Sequence, residues 1–391
     1  MKIKIKSIPE DFIVEERALL PFTKKGPFGA YLLKKRGWNT VGLLLKLSKE
    51  LNIPFKHFSY GGKKDRHALA TQYITIKGSK ISEIKEADYS LEFCGFTDRP
   101  MGPDLIDVNR FEVAVRNLKK QDVELAIGEI EPILSRGYPN YFDDQRFGSV
   151  DVEQGYFAEK VLKRHFNGAL KIYLTSINDG DSKKERERKS FFVKNWGNWN
   201  LCRDKAETEF ERKTFDYLVK KPKDFLGLLK TIPRERLSIY FSAYQGNIWN
   251  EVLRRIIKEE AILPLMVYPG VAGDYFFYSK VNDNFRVGPQ SLKIPTLAGN
   301  IKFSNDATDR FYKQVMEENG IRKAMFNSLK LRQSYFKSTL RSAIARPQSL
   351  SFKVFPDEFN KDRKKLVLKF SLLPGSYATM LLKRLFCAIA A

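Results

Sequence analysis

What most constrains the fold is a change in hydrophobic period that occurs twice along the chain. Up to about residue 150, strand-like and helix-like stretches alternate. Met1-Lys2-Ile3-Lys4-Ile5-Lys6 alternates as a strand does, and Pro9 to Glu16 reads as a strand with Phe12 and Val14 on one face. Leu43, Leu44, Leu47 and Leu51 recur at helical spacing behind Thr40, which is placed to cap that helix. Phe55 to Tyr60 and Tyr73 to Ile76 read as strands. Phe111, Val113 and Val115 alternate with Glu112, Ala114 and Arg116. Gln121 to Arg136 then takes a helical period that Gly137 is placed to end.

The middle of the chain has a different character. It is rich in helical periodicity and basic clusters. Gln245 to Lys258 carries Ile248, Trp249, Val252, Leu253 and Ile256 on one side. Phe311 and Val315 mark another helix with Gly320 as its C-cap, and Gly288-Pro289 and Leu297-Ala298-Gly299 mark turns. Lys183 to Lys189 reads as a solvated helix or loop, with a phosphate-tracking patch as the alternative. The end returns to the style of the start. Lys365 to Ser371 alternates, Pro374-Gly375 breaks it, and Ser376 is placed to cap a helix with Met380, Leu381, Leu382 and Leu385. Two stretches of one style around a different middle imply one core domain interrupted by an insertion.

Charge narrows the class of partner. The 391 residues suit two domains, and 69 Lys and Arg against 46 Asp and Glu leave a formal charge of +23. Such an excess favours an anionic partner, and phosphate backbones are the commonest. Thirty Phe and 17 Tyr fill cores first, but they also offer rings on which bases stack. No apolar run reaches transmembrane length and the N-terminus lacks a signal-peptide stretch, so the expectation is a cytoplasmic protein with no membrane partner. Cys94, Cys202 and Cys387 are too scattered for a disulfide framework, and His57, His67 and His165 lack metal-ligand spacing. No metal is expected.

Two clusters carry chemistry. In Gly61-Gly62-Lys63-Lys64-Asp65-Arg66-His67-Ala68-Leu69-Ala70-Thr71-Gln72, one carboxylate sits among basic side chains just after two glycines. Cations around Asp65 favour its ionised form, as a nucleophile or base beside a polyanion requires. A surface loop whose Asp offsets its neighbours would carry the same residues. Pro139-Asn140-Tyr141-Phe142-Asp143-Asp144-Gln145-Arg146-Phe147-Gly148 joins amides, rings and one Arg. Amides read base edges and rings stack on an extruded base. A domain-boundary loop with buried rings is the alternative.

Together these clusters resemble the TruD family of tRNA pseudouridine synthases. That family's aspartate loop, close to Ala-Gly-x-Lys-Asp-x-x-Ala-x-Thr-x-Gln, matches Gly61 to Gln72, and its Asn-Tyr-Phe-Gly-x-Gln-Arg-Phe-Gly matches Asn140 to Gly148. Pro9-Glu10-Asp11-Phe12-Ile13-Val14-Glu15-Glu16, Lys34-Lys35-Arg36-Gly37-Trp38-Asn39-Thr40 and Leu373-Pro374-Gly375-Ser376-Tyr377-Ala378-Thr379 match further family segments. The resemblance runs from residue 1 to about 386 and is weakest in the middle. Two positions depart from the pattern: Gly61 stands for Ala, and Asp143 for Gly.

By this resemblance, Asp65 is the catalytic carboxylate and Lys6 the cation paired with it. A lysine guarding a sheet edge is the other reading of Lys6. Phe142 is the ring that stacks on the target uracil, Asn140 hydrogen-bonds the base or orders the aspartate loop, and Phe12 closes the pocket from the side. Arg146, Gln145, Lys63 and Lys64 shape the loop or hold RNA phosphates. The implied fold class is α+β: a pseudouridine synthase-like catalytic core with a mixed, largely antiparallel sheet, interrupted by an inserted α+β domain. The core is expected over 1–154 and 339–391 and the insertion over 155–338. The implied activity is isomerisation of uridine 13 of tRNA to pseudouridine, a reaction with no redox change that implies no cofactor, by a monomer without an obligate protein partner. Two rivals are a non-catalytic RNA-binding protein or RNA chaperone on the same fold, and a nucleoside glycosidase with Glu15, Glu16 or Asp144 as a second carboxylate.

Overall fold

The computed structural model describes all residues except 1–3, 79–80, 82, 152, 179, 282–291, 303–305, 328, 330, 332–335 and 391. The start of the N-terminal alternation and the Gly288-Pro289 turn lie outside the described residues. The chain divides into two compact units, Met1–Tyr138 with Ile344–Ala391, and Pro139–Ala343. These limits stand beside the expected boundaries at 154/155 and 338/339. The difference matters for one segment: Asn140 to Gly148 lies in the second unit.

The first unit is built on a ten-stranded sheet to which both parts of the chain contribute. Its central strands, in spatial order, are Gln348–Pro356, Lys364–Leu372, Ile106–Leu118, Phe12–Ala18, Leu69–Lys77, Phe28–Arg36 and Tyr89–Thr97. All neighbours in this series are antiparallel except one: Phe12–Ala18 runs parallel to Leu69–Lys77, with Ile13 beside Leu69. The sheet is therefore mixed and largely antiparallel, as expected. One face packs on the helix Thr40–Glu50, whose Leu43, Leu44 and Leu47 are fully buried against Tyr31, Leu33, Ile74 and Ile76. The helix Ala378–Leu385 buries Met380, Leu381 and Leu385.

Four local expectations are corrected. The Thr40–Glu50 helix is capped by Asn39, whose side chain accepts from the Gly42 N–H, because the Thr40 hydroxyl is engaged elsewhere. The stretch from 121 to 136 forms two helices, Lys120–Gly128 and Ile130–Arg136. Pro132 explains the break: it has no N–H to donate to Gly128, and its ring would meet that carbonyl. Tyr377, rather than Ser376, stands at the start of the last long helix, without a side-chain cap bond. Phe55 to His57 forms a 3-10 turn, so the strand before the aspartate loop is only Phe58–Tyr60.

The second unit is organised around the helix Arg234–Glu260, whose 27 residues span about 40 Å. Ile248, Trp249, Val252, Leu253 and Ile257 are fully buried along it. Shorter helices surround it, including Phe157–Leu162, Phe166–Thr175, Lys183–Lys194 and Glu209–Lys220. Two small antiparallel pairs complete the unit: Ala261–Tyr268 with Tyr275–Val281, and Lys293–Pro295 with Leu340–Ser342.

Candidate active site

The parallel strand pair decides where the first cluster lies. Because Phe12–Ala18 and Leu69–Lys77 run the same way in register, their N-terminal ends lie side by side. Lys6 and Phe12 enter the first strand at that end, and the loop carrying Asp65 enters the second. The antiparallel strand Phe28–Arg36 places Lys35 beside Ala70 at the same end. Thus three segments far apart in sequence deliver Lys6, Lys35 and Asp65 to one end of the central strands.

There Lys6 Nζ donates to Asp65 Oδ2, while the His67 N–H donates to Asp65 Oδ1 at 3.0 Å. The pair is mostly shielded, with side-chain exposures of 13% for Lys6 and 20% for Asp65. A charge-assisted bond on one oxygen and an amide on the other fix the plane of the carboxylate and favour its ionised form. Lys6 itself sits at φ 63°, in the left-handed region. That conformation is uncommon for a residue with a Cβ and marks a backbone held by its surroundings. Asp11 is one such hold: its Oδ2 accepts from the N–H groups of Ser7 at 3.0 Å and Ile8 at 3.2 Å. Asp11 is in turn bound by buried Arg116 at 2.8 Å, which also pairs with Asp357 at 3.2 Å and Glu358 at 2.9 Å. Lys6 Nζ lies 4.3 Å over the ring of Phe12, which is itself buried against Phe111.

The loop is pinned from beneath. Lys35, 3% exposed, donates from Nζ to the carbonyls of Trp38 and Asp65, each at 2.6 Å. Burial lowers its pKa from the ordinary 10.5 to about 8; Asp65 opposes that shift and Lys64 adds to it. Thr40 accepts from the Lys64 N–H at 2.9 Å and donates to Gln72 at 2.8 Å, and Gln72 donates to the Gly62 carbonyl at 3.2 Å. Lys64 turns inward to Glu16, whose other oxygen accepts from the Tyr73 N–H at 3.1 Å. Lys63 is exposed and makes no ion pair among the described residues. Glu16, a carboxylate the glycosidase reading could have used, is thereby committed to Lys64. Lys35 and Gln72 carry no role in the sequence reading, Thr40 only that of a helix cap and Glu16 only that of a glycosidase carboxylate, although all four stand in the matched segments.

The second cluster lies in the second unit. Asn140 donates to the Ser342 carbonyl at 3.0 Å and accepts from Arg341 at 2.8 Å. The backbone of Phe142 is clamped by buried Asn250, which accepts from its N–H at 2.8 Å and donates to its carbonyl at 2.9 Å. The Phe142 ring packs edge-on against Trp249, and the guanidinium groups of Arg341 and Arg146 lie 4.2 Å and 5.1 Å from its centre. Gly246 makes this possible: a Cβ there would come within 3.2 Å of Arg146 and 3.3 Å of Phe142. Asp143 is extended at φ −79° and buried, so that position needs no glycine backbone. Asp144 accepts from the Tyr275 hydroxyl at 2.7 Å and the Val271 N–H at 2.9 Å. Among the described residues no group of three His, Cys, Asp or Glu could hold a metal ion, and no helix is long and apolar enough to cross a membrane.

Comparison with known proteins agrees over the whole length. Residues 1–385 match the family model described as tRNA pseudouridine synthase D (TruD). The chain is 32% identical to a probable tRNA pseudouridine synthase D of Methanococcus maripaludis, covering 98% of this chain and 99% of that one. It is 30% identical to a tRNA pseudouridine synthase D of Leptospira interrogans, covering 97% and 95%. In fold it is similar to the crystal structure of a TruD protein from Methanosarcina mazei, with a TM-score of 0.69 over 98% of this chain and 93% of that chain at 24% identity.

Proposed function

The chain belongs to the tRNA pseudouridine synthase D family, and from that premise we propose that it isomerises a uridine of tRNA to pseudouridine, with the Asp65 carboxylate at the reacting sugar. By resemblance the uridine is number 13. The observation that carries the reading is the Lys6–Asp65 pair, delivered to one end of two central strands from separate parts of the sequence. A chain that only bound RNA would gain nothing from holding a shielded carboxylate toward phosphates.

The reaction breaks the bond from uracil N1 to ribose C1′ and joins C1′ to C5. The C5 proton leaves and N1 gains one, so the change is an isomerisation and needs no oxidant or reductant. Asp65 either adds to the sugar or removes a proton from it, and both routes need the ionised form. Lys6 and the His67 amide hold that form in one orientation. Lys35 and Thr40 keep the loop from shifting, which matters because small misplacements are costly in catalysis.

In the second unit, Asn140 and Phe142 take the roles the resemblance gives them, contact with the base edge and stacking. Since Phe142 is only 9% exposed, a stacking base takes the place of one of its guanidinium neighbours. Arg146 and Lys63 then serve RNA phosphates. We place the enzyme in the cytoplasm, acting as a monomer.

Carbodiimide mapping of tRNA incubated with the protein tests this reading. The expected outcome is a new pseudouridine stop at position 13. A stop at another uridine keeps the chemistry and replaces the position. Tight tRNA binding with no stop anywhere would favour the chaperone reading.

A further inference from the structure

The second unit contains an open cleft of about 560 Å³ that shares only Gln145 and Arg146 with the site described above. Its walls come from the helices Phe166–Thr175, Lys183–Lys194, Glu209–Lys220 and Arg234–Glu260 and from the end of the Asn140–Gly148 segment with Ser149. Tyr173 and Tyr240 line it, packed together with ring centres 5.6 Å apart. Arg236 stands exposed beside them and donates to the Tyr173 hydroxyl at 3.4 Å. Arg146, whose stem packs on Gly246, reaches its rim. The carboxylate in the lining, Glu211, is bonded by Arg188 at 3.1 Å and so does not leave the cleft acidic. One further atom points to an occupant. Ser149 Oγ is buried without a hydrogen-bond partner among the described residues. A buried polar atom left unpaired is costly and asks for a ligand or water.

We propose that this cleft binds one unpaired nucleotide of the RNA substrate other than the uridine that is isomerised. The base lies against Tyr240 and Tyr173, Ser149 and Gln145 meet its edge, and Arg236 with Arg146 faces its phosphate. Rings for stacking with cations for phosphate are the chemistry of single-stranded RNA recognition, and the volume lies within the range of small-ligand pockets. The proposal rests on the reading of the chain as an RNA-modifying enzyme. It adds a contact that would select RNAs by an unpaired base away from the reacting one.

The test uses the full chain with three variants. Arg236→Glu reverses the cleft's exposed charge, Tyr240→Leu removes a stacking face while keeping an apolar filling, and Lys220→Glu changes net charge equally at an exposed site outside the cleft. Affinity for tRNA and the kcat and KM of pseudouridine formation are measured for each. Arg236→Glu and Tyr240→Leu are expected to weaken tRNA binding and raise KM, Tyr240→Leu by about 5- to 150-fold, the range of base–aromatic stacking. Their kcat at saturating tRNA should stay within about twofold, and Lys220→Glu should have a much smaller effect on KM. If Arg236→Glu and Lys220→Glu lose affinity equally, diffuse charge explains the result and the cleft proposal falls. It falls too if unaltered protein makes pseudouridine while Tyr240→Leu binds tRNA normally, an outcome that leaves the function standing. If the unaltered protein makes none, the function reading fails alone, and the binding measurements still decide the cleft. Tight binding of free adenosine or uridine monophosphate that tRNA does not displace would identify a free nucleotide as occupant and overturn the proposal.

Discussion

Lys6 Nζ bonds directly to the carboxylate of Asp65, and Lys6 does so from a left-handed backbone that the Asp11 carboxylate helps to hold. The pair is separated by 59 residues of sequence and joined by the one parallel step in the central strand series. Its cation therefore belongs to the architecture of the sheet rather than to the loop that carries the aspartate.

Replacing that cation should separate chemistry from folding. Lys6→Met is expected to lower kcat on the order of 10²-fold, the scale of one preorganised electrostatic contact. KM for tRNA should move only a few-fold and the unfolding temperature little. Steady-state kinetics with Lys6→Arg alongside checks this, since arginine keeps the charge and should recover part of the loss. Wild-type kcat in Lys6→Met would remove the pair from the mechanism.

Lys35 gives a pH signature with a definite sign. Its pKa is lowered by burial from 10.5 to about 8, so between those values the unfolded chain binds a proton that the folded chain lacks. Stability from this residue therefore rises with pH across that window and is flat below it. Relative to Lys35→Met, the unaltered chain should gain in unfolding temperature as pH goes from about 8 toward 10.5. The variant should also lose activity, because two carbonyls that hold the loop are left unpaired. A constant difference in unfolding temperature across the window would contradict the buried, bonded placement.

Arg116 is the hub under Asp11. It is 3% exposed and faces Asp11, Asp357 and Glu358. Arg116→Met leaves two buried carboxylates without their cation, and breaking a buried pair in this way costs about 3–5 kcal/mol. Urea unfolding should show that loss. Full stability in the variant would mean that the carboxylates find other partners.

The basic surface predicts a steep salt response. Affinity for tRNA should fall at least about tenfold between roughly 50 and 200 mM salt, because phosphate contacts release counterions. Filter binding across that range is sufficient, and a flat profile would contradict the inference drawn from a charge of +23.

Much of this was legible in the sequence, and the parts that were not share a cause. The alternation of Phe111 to Val115 and of Lys365 to Ser371 showed two strands that prove to be neighbours, with Leu368 beside Val113. The motifs pointed to Asp65 and Lys6 and, through the Lys34–Thr40 segment, to the neighbourhood of Lys35. What a side chain does inside a motif depends on partners that pattern alone does not name. Thr40 reads locally as a helix cap, yet its hydroxyl sits between Gln72 and the Lys64 amide, so the cap falls to Asn39. Lys63 and Lys64 look alike in sequence, but only Lys64 finds a buried carboxylate. Asn250 and Arg341 carry no motif signal at all, and they meet Phe142 and Asn140 across more than a hundred residues. Pro132 is a local signal for the break between the helices at Glu129.

The most direct measurement is release of tritium from tRNA labelled at uridine C5, for the unaltered chain and for Asp65→Asn, with tRNA affinity measured in both. The account predicts release by the unaltered chain, none above background by Asp65→Asn, and nearly equal affinities. Normal release by Asp65→Asn, or loss of tRNA affinity with turnover intact at saturating RNA, would contradict it.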